Sequence, residues 1–233
     1  MGCEILQKDQ EIVQYSPHQP VQQTMGKALC AKGQASPGLL HAYETLNSGC
    51  AFFIRSAEDQ PQSLGPQARY AFHRLMGNRL RELDRFLSVV LDEIVLMSAI
   101  SGQDALTFSR WRNTARKLAK VEQILRTTTG DAKWLAAIGR ICACLHHCGG
   151  KIHDAGLLQD VTMISARAEA GYKVMPPLIS EPLMLCPVTI YAIGGFYHIL
   201  GDRLVAQAVL NPTRDFPSDG GTARIPEAGR TRM

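Results

Sequence analysis

Residues 134–153 read WLAAIGRICACLHHCGGKIH, and the spacing of their apolar side chains decides the fold. Trp134, Ile138, Ile141, Leu145 and Cys148 recur at steps of four and three, which places them on one seam of an α-helix. The Gly149-Gly150 pair ends that helix, because glycine takes up the left-handed backbone that closes a C-terminus. Asp131 is the expected cap at its start.

The same pattern extends to both sides. His73, Met76, Leu80, Leu83, Leu87, Val90, Ile94 and Met97 follow alternating steps of three and four. A run of that length predicts a helix of about 30 residues, roughly 45 Å long at 1.5 Å per residue. Arg79, Arg81, Glu82, Asp84 and Arg85 fall between the apolar positions and are expected to face water or a partner. Val89, Leu91, Val95, Leu96 and Ile100 widen the apolar stripe, so the basic half should project and the apolar half should be enclosed. Ser101 to Asp104 breaks this helix and caps the next, which is expected over residues 105–126 with Phe108, Trp111, Ala115, Leu118, Val121 and Leu125 inward. A further helix is expected over residues 154–170, with Leu157, Val161, Ile164 and Ala168 inward and Gly171 as its cap. Pro176 and Pro177 then predict an extended connector.

These readings predict an all-α protein, a bundle of about four or five helices joined by short connections. The helical domain is expected over residues 67–210. Residues 1–66, rich in Gln and Pro, are expected to form a flexible arm with short docked segments near 39–46 and 50–54, because they bury little apolar area against their ordering entropy. Residues 211–233, with Pro, Gly and Arg and no periodicity, are expected to form a disordered tail.

Hydrophobic residues make up 45% of the 233, which fits a globular chain. The formal charge of +4 is too small for a protein that coats nucleic acid, but it allows a local basic contact. Seven cysteines show no disulfide framework, so reduced thiols and a cytoplasmic location are expected. Gly2 and Cys3 do not make a myristoylation signal, because position six is Leu6. Residues 183–200 are almost wholly apolar, but Pro187, Gly194-Gly195 and His198 argue against a membrane span. No phosphate loop, Rossmann glycine triplet or nucleophile elbow is present.

Three constellations could carry function. Arg110, Arg112, Arg116, Lys117 and Lys120 make residues 105–126 the most basic element, and with Arg79, Arg81 and Arg85 they could form a stripe that binds phosphates. Cys144, His147, Cys148 and His153 combine sulfur and imidazole donors that would suit a tetrahedral zinc ion, although no standard finger or ribbon spacing is present. Arg140 followed by His146 and His147 resembles the Rx4-6H element of HEPN-family ribonucleases. That resemblance implies that Arg140 steadies a phosphate and His147 supports cleavage by the ribose 2′-hydroxyl, without metal; the residue after the arginine is Ile141, where the family commonly has a polar one. The preferred expectation is a non-enzymatic regulatory or binding protein of bacterial type, contacting nucleic acid or an acidic protein surface through its basic face. The zinc site and the ribonuclease are the alternatives, and residues 76–97 could serve as a homodimer seam.

Overall fold

A computed structural model describes residues 35–58, 65–98, 101–168, 183 and 185–210. Seven helices occur among them and no strand of a sheet: α1 Pro37–Arg55, α2 Pro66–Met97, α3 Gly102–Ser109, α4 Thr114–Ile124, α5 Ala132–His147, α6 Ala155–Ala168 and α7 Pro187–Leu210. The all-α expectation holds.

Helix α2 is the hub and packs against α1, α3, α4, α5 and α7. Its heptad residues from His73 to Ile94 are all buried, because helices lie against that stripe along its whole length. The heptad stripe of the homodimer seam expected over residues 76–97 is therefore used inside the chain. Leu91 and Val95 join the core, whereas Val89 and Leu96 stay exposed. The basic half does not project. Cys142 of α5 donates its S–H to the Gly77 carbonyl at 3.2 Å, and a side chain at Gly77 would meet the His146 backbone, so α5 lies directly on that half.

Residues 37–55 form a continuous core helix where short docked pieces of an arm were expected. Ser36 accepts from the Leu39 amide at 3.1 Å and Pro37 opens the first turn, both favourable starts to a helix. Leu39, Ala42, Tyr43, Leu46, Cys50 and Phe53 are its buried face. It runs antiparallel to α7, with Gly194 against Ile54 and Gly201 against Leu46. Helix α7 is apolar on nearly every side and lies enclosed, the arrangement expected of a buried helix. Among the described residues no helix is long and apolar enough to cross a membrane.

The helix expected over residues 105–126 is two helices. Asn113 caps α4 by accepting from the Arg116 amide at 2.9 Å, and residues 110–113 between α3 and α4 are non-helical. Helix α6 begins at the expected place, with Leu157, Val161 and Ile164 buried and Asp154 accepting from the Leu157 amide at 2.7 Å. The expected cap at Gly171, the connector at Pro176-Pro177 and the tail from residue 211 lie outside the described residues.

Asp84, expected at the surface, turns inward. Its carboxylate accepts from the Thr114 hydroxyl at 2.6 Å and lies 3.5 Å from the Tyr197 hydroxyl. Burial holds this carboxyl above the usual range, against the lowering effect of those hydroxyls and of Lys117. The native state therefore binds the Asp84 proton more tightly than the unfolded chain, whose value is about 3.9. That contribution to stability is complete below the unfolded pKa and is lost as pH rises through the folded one. Asp84→Asn is expected to flatten the fall in urea midpoint as pH rises above the unfolded value of about 3.9. Parallel profiles for variant and wild type would refute the assignment.

Candidate functional site

The corner between α3 and α4 collects the exposed basic side chains. Arg110 and Arg112 lie in the non-helical break, and Arg116 and Lys120 lie one turn apart on the outer side of α4; all four are exposed. None of these four makes an ion pair among the described residues. The aromatic rings beneath them form a graded, tilted series. Phe108 is buried, Trp111 is half-buried with its ring centroid 5.4 Å from that of Phe108, and the Arg116 guanidinium lies over Trp111 at 4.1 Å.

Lys117 is not part of that surface. It is 1% exposed, and its ammonium donates to both Asp92 oxygens at 2.7 and 2.8 Å, to Ser88 at 2.9 Å and to the Ser109 carbonyl at 3.3 Å. Its position on α4 explains this, since Thr114, Val121 and Ile124 on the same face are also buried. Of the α2 arginines expected in a stripe, Arg81 and Arg85 are exposed and Arg79 is half-buried. Arg79 hydrogen-bonds Ser56 and lies over Phe52 of α1, while Arg85 is 3.8 Å from Glu82. Arg81 stands near His146 of α5, whose imidazole is held below its usual range by burial first, then by Arg81, His147 and Arg74.

A separate cleft of about 470 Å³ opens between the end of α5 and the start of α6. It brings together Arg140, His147, Cys144, Cys148 and His153, so the two residues of the ribonuclease resemblance and all four expected zinc ligands line one space. The chemistry of each group is restricted. Arg140 binds Asp160 in a bidentate pair, Nε at 2.5 Å and Nη2 at 2.6 Å, so the face of the fork that grips a phosphate already holds a carboxylate. Cys144 lies in the buried seam, its S–H donates to the Lys151 carbonyl at 3.2 Å, and burial pushes its thiol up to about 11. A metal ligand must be a thiolate, which that environment opposes. Cys148, expected in the seam, is the exposed cap residue of α5, and His153 pairs with Asp154 at 3.2 Å. Among the described residues, no group of three or more His, Cys, Asp or Glu side chains is placed to hold a metal ion.

Comparison with known proteins finds no matching family model, no similar curated protein and no similar solved structure. The functional reading therefore rests on the residues themselves. Of the five cations expected from the sequence, all but Lys117 are exposed at this corner; the break after Ser109, which carries Arg110 and Arg112 off the helix, is marked in the sequence by Asn113, the cap of α4.

Proposed function

We propose that this chain is a non-enzymatic binding protein that takes up a polyanion on the α3–α4 corner, through Arg110, Arg112, Arg116 and Lys120. The observation that carries this reading is that these four cations are exposed together without an acidic partner among the described residues, while the fifth basic residue of the segment is sealed in the core. Exposed like charges at close range repel one another, and an approaching anion relieves that repulsion while releasing its own counterions. Arg85 and Arg140, by contrast, stand against Glu82 and Asp160.

The test is fluorescence anisotropy with a labelled RNA oligonucleotide over a salt series. The triple variant Arg110→Glu, Arg112→Glu, Arg116→Glu is expected to bind about a hundredfold more weakly at low salt, with a shallower dependence of log affinity on log salt. The RNA should be recovered uncut. Equal binding by the variant would overturn the assignment of this corner. Cleavage lost in His147→Ala would move the function to the α5–α6 cleft.

A further inference from the structure

We propose that the ligand of this corner is single-stranded nucleic acid, one base of which stacks on the outer face of the Arg116 guanidinium. This rests on the binding reading above and narrows it to one partner. Phe108 lies in the core, Trp111 covers it, and Arg116 covers Trp111, so each member of the stack is more exposed than the last. The outermost member is flat, conjugated and cationic. Arg116 makes no side-chain hydrogen bond or ion pair among the described residues, so its stacking on Trp111 is the contact that orients it.

A planar cation already resting on an indole offers a second planar surface to a nucleobase, and every base has a π-face to match it. Carboxylates of an acidic protein gain nothing from such a surface, because they require only charge and hydrogen-bond donors. Duplex nucleic acid presents its bases edge-on inside its own stack, so a flat platform is open only to a base that is already unstacked. Arg110, Arg112 and Lys120 flank the platform and would follow the phosphates of the same strand. Two of them sit on the non-helical break, where they are not bound to the register of a helix.

The experiment uses the full chain carrying Trp134→Phe, which leaves Trp111 as the sole tryptophan of the two. Trp134 packs on Phe196, so phenylalanine keeps an aromatic contact there. Tryptophan fluorescence is followed during titration with oligothymidylate, inorganic polyphosphate of equal charge, an acidic peptide and a DNA duplex. Oligothymidylate is expected to quench Trp111 and to bind at least about tenfold more tightly than polyphosphate. Arg116→Lys keeps the charge and removes the plane; being an exposed change, it leaves the fold intact, and its loss should be about tenfold for the oligonucleotide and smaller for polyphosphate. Equal affinity for oligonucleotide and polyphosphate, with no effect particular to Arg116→Lys, would overturn the stacking proposal and leave the polyanion reading standing. Tighter binding of duplex or of acidic peptide would likewise overturn it. Binding of none of the four probes would remove both readings.

Discussion

Lys117→Ala is expected to lower the free energy of unfolding by about 3–5 kcal/mol, whereas Arg112→Ala or Lys120→Ala should change it by no more than about 0.5 kcal/mol. All are basic residues of one short segment, so charge alone does not separate them. Burial does. Lys117 spends its three donors on Asp92, Ser88 and the Ser109 carbonyl, and alanine leaves these part-buried acceptors without their donor. Asp92 bears the largest part, since burial already raises its pKa and Lys117 is the group that counters the shift. In the variant that carboxyl rises further. The penalty is therefore greatest where the unpaired carboxylate is ionised and shrinks as acid protonates it. Urea unfolding followed by helical circular dichroism at neutral and acid pH measures both effects. A double variant, Lys117→Met with Asp92→Leu, should recover most of the loss, because removing a buried pair together costs far less than removing one member. A single-variant loss under about 1 kcal/mol would show that the pair is solvated.

Gly150→Ala is expected to cost about 3 kcal/mol, combining two terms. The first is conformational: Gly150 has φ 81°, where a side chain crowds its own carbonyl. The second is contact, because an added Cβ would stand 2.7 Å from Nδ1 of the buried His73. That ring has no room to retreat, since its Nδ1–H donates to the Gly149 carbonyl at 3.0 Å and so ties α2 to the turn after α5. The Gly150 amide also donates to the Cys144 carbonyl at 3.1 Å, and its own carbonyl accepts from Leu183 at 2.7 Å. Gly130 provides the control. It has φ 74° with nothing within 4 Å of a Cβ, so Gly130→Ala should lose only the conformational term of about 1–2 kcal/mol. Equal melting temperatures for the two variants would mean that His73 does not press on the turn.

The helices that could be read from the sequence were those with one wet side and one dry side. Helix α2 met that condition along residues 73–94, and α5 along Trp134 to Leu145, so an apolar period translated directly into burial. Helix α1 failed to stand out because a Gln- and Pro-rich stretch precedes it, although Ser36-Pro37 followed by Leu39, Tyr43, Leu46, Cys50 and Phe53 carries both a start signal and a periodic face. The break between α3 and α4 was hidden by apolar residues that keep an almost helical register across it. Lys117 was misread for a different reason. Its place among Thr114, Val121 and Ile124 points inward, but an inward lysine makes sense only once Asp92 is known to face it from another helix. Partners of that kind depend on packing between distant segments. The same holds for Arg140, whose Asp160 arrives only when α6 folds back on α5.

The inner side of α4 is bolted to α2 through Thr114 and Lys117, and its outer side carries cations that the interior does not need. Under the proposed polyanion reading, recognition and foldability fall on opposite sides of one eleven-residue helix. Descendants of this chain could exchange the outward cations for other side chains, and so change what they hold, while the scaffold beneath stayed as sound as before.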